Sequence, residues 1–173
     1  RHGNDLFGAF GRDFRTADGR SIMIVAITQR QWSGLLAALS IEGEVAALEA
    51  ELGTRFQHDE GLRYAHRDRL FSIVETVAGR LTLEQIAPRL DQHGVCWEPY
   101  QSLREAVEND VRFVRGNAMF ATIAQPSGLE YPVAGPFARI TGEEPATAAP
   151  APRLGADTDE VLAQDLGLPS HEI

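Results

Sequence analysis

A chain of 173 residues, 43% hydrophobic and 24% charged, is long enough for one sizeable core or for a domain with an extension, which excludes disorder throughout. Its net charge of -9 excludes nonspecific nucleic-acid binding, which needs clustered cations to displace counterions from phosphates. All 16 basic residues are Arg, so lysine chemistry is excluded, and a lone Cys96 excludes an intrachain disulfide.

Residues 3–32, GNDLFGAFGRDFRTADGRSIMIVAITQRQW, organise the rest of the chain. The leading stretch 1–14 alternates glycines with aromatics, as a loop feeding a strand does. Gly8 and Gly11 have a GxxG spacing, but no strand precedes them and no basic helix comes after, so neither a phosphate loop nor an RNA clamp is expected. Thr16-Ala-Asp-Gly19 reads as a turn, because Asp bonds its own backbone and Gly tolerates positive φ. The run 21–27, SIMIVAI, is apolar and β-branched, which predicts a strand covered on both faces. Thr28 then caps a helix over 29–39, whose Trp32, Leu35, Leu36 and Leu39 recur at three and four residues to form one buried face.

A second helix is predicted over 42–52, with Val45, Leu48 and Leu52 inward and Gly53 as its left-handed stop. The third is predicted as one long helix over 60–78. Leu62, Leu70, Ile73, Val74 and Val77 are its apolar residues, Arg63, Arg67 and Arg69 fall among its polar positions, and Gly79 ends it. Thr82-Leu-Glu-Gln85 has the form of a capping box and opens a helix to about 92, which Pro88 is expected to weaken or kink. Gly94 stops it. Val95-Cys-Trp97 reads as a short buried strand ended by Pro99, and Ser102 caps a short helix to about 109.

Between 118 and 140 the period changes to a hairpin about Pro126-Ser-Gly128, with Pro132 marking an edge strand, plus one more extended run, PFARI. Residues 141–152 collapse to Ala, Pro, Thr and Glu and read as an extended linker. A last helix is expected over 157–166, with Val161, Leu162 and Leu166 to one side, and 170–173 as the first turn of another. The fold class expected is therefore α/β, of the α+β kind: a short mixed or antiparallel sheet with several helices, then an extended linker and a C-terminal helix. The expected divisions are a glycine and aromatic loop with hairpin at 1–20, a small domain at 21–140, the linker at 141–153 and a helical segment at 154–173.

Few residues declare chemistry. His2, His58, His66, His93 and His171 have no helix-spaced partner or cysteine pair, so no metal site is expected. His93, ahead of Gly94, suits a helix C-terminus. Cys96 reads as a buried, inert thiol. Asp157, Asp159 and Glu160 fall where first-turn carboxylates meet exposed amides. No nucleophile-elbow motif accompanies the serines. The absence of a signal segment or an apolar run of about 20 residues makes the cytoplasm the expected compartment, with no membrane partner. The start at Arg1 reads as that of a piece of a longer polypeptide.

Three blocks, in order, resemble the class III CoA-transferases, the family of formyl-CoA transferase, carnitine CoA-transferase and α-methylacyl-CoA racemase. They are FRTADGRSIMIVAITQRQW, LDQHGVCWEPYQSLREAVEND and LGADTDEVLAQDLGLPSHEI. The resemblance covers almost the whole chain but corresponds to the family's small domain and C-terminal segment, without the larger Rossmann-like N-terminal portion. It implies covalent catalysis by a carboxylate of that missing portion: acyl anhydride, then aspartyl-CoA thioester, then transfer of CoA to a second carboxylate. It therefore implies acyl-CoA and a carboxylic acid as partners, coenzyme A as substrate with no separate cofactor, no catalytic residue in this chain, and an interlocked homodimer. On the same ground this piece alone is expected to be inactive.

The formyl-CoA transferase branch covers its active site with a glycine loop at the head of the small domain. Position implies that Gly3 and Asn4 contact substrate, although the consecutive glycines are missing. The racemase branch carries a glutamate where this chain has Thr28. A hydroxyl cannot take that acid's role, which favours CoA transfer over α-proton exchange. The FGRDF stretch looks most like the 2-methylfumaryl-CoA isomerase branch, which moves CoA between two carboxylates of one molecule. A racemase-like enzyme and a noncatalytic CoA- or protein-binding module stay open as alternatives. Residues after about 153 are expected to pack away from the core of 21–140, on the missing domain or a partner chain.

Overall fold

The computed structural model describes residues 3–138, 140–144, 146 and 148–173; His2, Arg139 of the PFARI run, and Pro145 and Thr147 of the expected linker lie outside them. The protein has the expected mixed α/β fold. The chain divides into two units, Arg1–Tyr100 and Gln101–Ile173.

The first unit is built on a three-stranded antiparallel sheet, β1 (Phe10–Arg15), β2 (Ser21–Ala26) and β3 (Cys96–Pro99), with β2 central. Pairing Phe10 with Ala26 and Phe14 with Ile22 brings Phe10, Phe14, Ile22, Ile24 and Ala26 to one face, all buried. Over that face lie α1 (Gln29–Leu39) and α4 (Arg67–Ala78): the Phe10 ring is 5.3 Å from Trp32 and 5.2 Å from Phe71. Arg12 shares this face at the sheet edge. Its guanidinium lies over Phe71 at 5.1 Å and reaches Glu75 at 3.3 Å, so the aliphatic stem covers apolar surface while the charge stays wet. Two further helices complete the layer, α2 (Glu42–Leu52), stopped by Gly53 at φ 62°, and α5 (Leu83–Gln92), which runs through Pro88.

The turn expected at 16–19 forms, with Gly19 at φ 77° and its amide on Thr16 O at 2.9 Å. The Thr16 hydroxyl donates to Asp18 Oδ1 at 2.6 Å, and the same carboxylate accepts the first amide of α5, Leu83 N, at 3.2 Å. One acidic side chain thus closes the hairpin and fastens it to a helix 65 residues away in sequence.

Three expectations for this unit are corrected. The strand at 21–27 is not covered equally on both faces: Ile22, Ile24 and Ala26 are buried while Ser21, Met23 and Val25 are half-buried, as in an antiparallel sheet with helices on one side. It ends at Ala26 because the Ile27 and Thr28 amides turn to the Gln31 side chain, each at 3.0 Å. The helix expected over 60–78 is two, α3 (Glu60–Ala65) and α4, separated by His66 at φ -105°, ψ 19°. Arg63 and His66 tie α3 to the loop around Phe56, whereas α4 follows the sheet, and His66 absorbs the change of direction. Cys96 is exposed, not buried. β3 is an edge strand, and the alternation that turns Trp97 toward the core turns Cys96 and Glu98 outward.

In the second unit, Ser102 and Glu105 form a reciprocal cap on α6 (Leu103–Asn109). β4 (Phe120–Ala124) and β5 (Glu130–Ala134) form the expected hairpin, with Gly128 at φ 84°. No third strand follows among the described residues of 136–140; Pro136 has no amide to donate and Phe137 is 93% exposed. Ala151 N bonds the Gln125 side chain at 3.0 Å, so the Pro/Ala-rich stretch is fastened to the hairpin end. The helix expected over 157–166 is shorter and looser: α7 (Thr158–Glu160) passes into a π-helical turn, Val161–Asp165. Residues 170–173 form a turn, with Glu172 N on Pro169 O at 2.9 Å. Leu154, Val161 and Leu166 are exposed and Leu162 is half-buried.

Candidate functional site

Gly3 and Asn4 lie in an exposed turn ahead of β1, Gly3 at φ 60°. The Asn4 amide donates to Asp13 Oδ1 at 3.1 Å and approaches the Tyr100 hydroxyl at 3.5 Å, so the turn is fastened to β1 and to the residue after β3. The next residues are fastened to α3 and α4: Asp5 pairs with Arg67 at 3.2 Å, that guanidinium lies 4.5 Å over the Tyr64 ring, and Phe7 meets Tyr64 edge-on at 5.2 Å. Gly11 permits the close approach of this segment, since a Cβ there would lie 3.0 Å from Leu6 Cβ and 3.2 Å from Ile24 O. These contacts bring Gly3 and Asn4 beside Asp13 and Tyr100.

A cleft of about 300 Å³ opens where β2 runs into α1, lined by Ile27, Thr28, Gln29, Gln57, His58, Glu60 and Arg63. The sequence makes α1 start here because Thr28 and Gln31 cap reciprocally: Thr28 Oγ1 accepts Gln31 N at 3.2 Å, and Gln31 Oε1 accepts Thr28 N. Thr28 is therefore an N-cap whose hydroxyl is already engaged. Gln57 reaches across to Ser33 Oγ at 2.7 Å and fixes the loop wall.

Arg63 is the functional-looking residue that reading the sequence missed. It falls among the expected polar positions, yet it is 1% exposed. Its guanidinium donates to Phe56 O at 2.6 Å and to Ile27 O, and lies 5.4 Å over the Trp32 ring, while its Nε has no hydrogen-bond partner. Burial pushes its pKa below the ordinary arginine value, opposed by the neighbouring Glu60 and Asp59 carboxylates. A signal existed: Arg63 stands seven residues before Leu70, on the stripe that Leu70 and Val74 continue inward.

A second concavity, about 570 Å³, lies between α2 and α4, with Leu48, Ile73 and Val77 as its apolar floor and the Glu51–Arg69 ion pair, 2.8 Å, at its wall. The histidines are dispersed: His58 lines the cleft at α1, His66 packs on Phe56, His93 Nδ1 lies 2.9 Å from Arg89 O, and His171 faces Glu172. Among the described residues no group of His, Cys, Asp and Glu is placed to hold a metal ion, and no helix is long and apolar enough to cross a membrane.

Comparison with known proteins agrees with this architecture. The chain is 38% identical over 173 residues to 2-methylfumaryl-CoA isomerase of Chloroflexus aurantiacus, which is 100% of this chain and 42% of that protein. It is 26% identical to formyl-CoA:oxalate CoA-transferase of Streptomyces coelicolor over 106 residues, 61% of this chain and 25% of that protein. A CAIB/BAIF family protein from Brucella suis has the same fold, with a TM-score of 0.64 at 21% identity over 95% of this chain and 40% of its own. Rv3272 from M. tuberculosis gives 0.62 at 19% identity over 84% and 38%. This chain thus spans about two fifths of the isomerase's length. The family model for CoA-transferase family III matches residues 1–158, and the chain belongs to that family.

Proposed function

We propose that this chain is the small domain and C-terminal segment of an enzyme that isomerises an acyl-CoA by moving CoA between carboxylates of one molecule. The observation that carries this reading is the 38% identity along the whole of the chain to 2-methylfumaryl-CoA isomerase. In the proposed mechanism an aspartate outside these residues attacks the thioester carbonyl and expels CoA thiolate, leaving an aspartyl-acyl anhydride. The thiolate attacks the aspartyl carbonyl and releases the acyl group as a carboxylate. The molecule's other carboxylate then attacks the aspartyl-CoA thioester, and the thiolate released returns to the new anhydride at its acyl carbonyl, regenerating aspartate. Each step exchanges one acyl bond for another, so no redox partner is needed and CoA is never lost.

In this reading the chain supplies a wall of the site. Gly3 and Asn4 contact substrate from the segment fastened by Asp13, Arg67 and Tyr100. Coenzyme A acts as substrate with no other cofactor, the piece alone is inactive, and the full protein works in the cytoplasm as an interlocked homodimer. The apolar residues Leu154, Val161 and Leu166 are covered by the rest of that assembly.

The test uses the full-length protein with 2-methylfumaryl-CoA and carbon-13-labelled free 2-methylfumarate. Isomerised thioester without label supports intramolecular transfer, and labelled thioester indicates transfer between molecules. Product of neither kind discards CoA transfer. A racemase would instead incorporate deuterium at Cα of a 2-methylacyl-CoA while CoA stays in place. The occupied Thr28 hydroxyl offers no acid for that reaction.

A further inference from the structure

An enzyme that moves CoA between two carboxylates of one molecule must hold a free carboxylate while the other is esterified. The cleft at the start of α1 has the chemistry for one such group. α1 is an 11-residue helix, long enough to carry a terminal dipole. Its cap uses the amides of Gln31, taken by Thr28 Oγ1, and of Trp32, taken by Thr28 O at 3.0 Å. The first-turn amides of Gln29 and Arg30 are left without an acceptor among the described residues, and the side chains of both residues are exposed.

The second observation is Arg63. It lines the same cleft, is 1% exposed, bonds only backbone carbonyls through its terminal nitrogens, and leaves Nε unpaired. Thus a buried positive charge without a bonded carboxylate shares the cleft with a helix N-terminus whose Gln29 amide has no acceptor among the described residues. Such a pairing favours an anion, because oriented amides and a desolvated cation act through little intervening water. Glu60, which lines the cleft, and Asp59 next to it both weaken the field of Arg63, which suits a single carboxylate better than a phosphate dianion. The volume of about 300 Å³ admits a short dicarboxylic acid.

We propose that this cleft is a carboxylate-binding subsite, in which the Gln29 amide holds the free carboxylate of a dicarboxylic substrate beside buried Arg63. The identity of that substrate rests on the isomerase reading; the binding chemistry does not. Arg63 acts here through its charge and through its hold on Ile27 O, so it is a positioning residue.

The experiment titrates free 2-methylfumarate into the full-length protein by calorimetry. Gln29→Pro removes one donor at the first helical position, where proline is tolerated, and Gln29→Glu adds repulsion while suiting the helix dipole. Both variants are expected to keep the wild-type unfolding midpoint and to weaken binding about tenfold or more, the scale of one charge-assisted hydrogen bond. Wild type without saturable binding, or unchanged affinity in both variants, overturns the subsite. The enzyme–CoA thioester, detected by mass spectrometry after mixing with 2-methylfumaryl-CoA, is scored separately. If it forms while the variants bind normally, the subsite fails and CoA transfer stands. If it never forms while the variants lose affinity, the reverse holds.

Discussion

At the scale of single residues, Arg63 and Asp18 connect segments distant in sequence, and each makes a test. Arg63→Met would strand the Phe56 and Ile27 carbonyls, and a buried acceptor left without a donor costs about 1–3 kcal/mol. A loss of about 3 kcal/mol is expected in urea unfolding, with only partial recovery in Arg63→Lys, whose ammonium lacks the planar fork. An unchanged midpoint would mean that the guanidinium's desolvation cancels its bonds. Asp18 is held below its ordinary 3.8, first by the Thr16 hydroxyl and then by the Leu83 amide. Because the folded value is depressed, its contribution is complete above 3.8 and is lost as the pH falls through the folded value. Asp18→Asn should therefore flatten the acid side of the stability profile below about pH 4, measured as the urea midpoint against pH; an unaltered slope contradicts it.

At the scale of elements, local signals and close packing separate. The N-caps at Thr28, Thr82 and Ser102 are each local in sequence and form where they are expected; the reciprocal box is expected only at Thr82, and Thr28 and Ser102 make one too. Thr82→Ala should cost about 1 kcal/mol, seen as a lower thermal midpoint, because Gln85 N loses its side-chain acceptor and keeps only the Thr82 carbonyl. Gly34 makes a different demand. It lies on α1 where that helix meets the end of α5, and a Cβ there would collide with the His93 carbonyl oxygen, a backbone atom with little room to yield. Gly34→Ala should cost about 1–3 kcal/mol by overpacking, despite alanine's higher helix propensity. A stabilised variant would show that α1 and α5 can separate freely.

At the scale of the molecule, the buried apolar cluster runs from Phe10 to Val95, with Trp97 packed against it, and so lies within the first unit. A chain ending at Tyr100 should therefore unfold cooperatively, with the fluorescence transition of Trp32 and Trp97 coincident with that of circular dichroism; noncoincident or broad transitions would show dependence on the residues after Tyr100. The sequence alone determined the elements whose causes are local: the Asp-Gly turn, three caps, Gly53 and Gly94 as stops, and the apolar faces of α1 and α2, because turn and cap chemistry act within a few residues. Its three family blocks also revealed the CoA-transferase family, which the family-model match over residues 1–158 bears out. Only the tertiary structure decided that Arg63 turns inward, that 60–78 breaks at His66, that Cys96 faces out from an edge strand, and that Gln29, Glu60 and Arg63 share a cleft. Periodicity names a face, but whether a polar residue on it is buried depends on carbonyls supplied by other segments, here Phe56 and Ile27, and strand exposure depends on which neighbours pair.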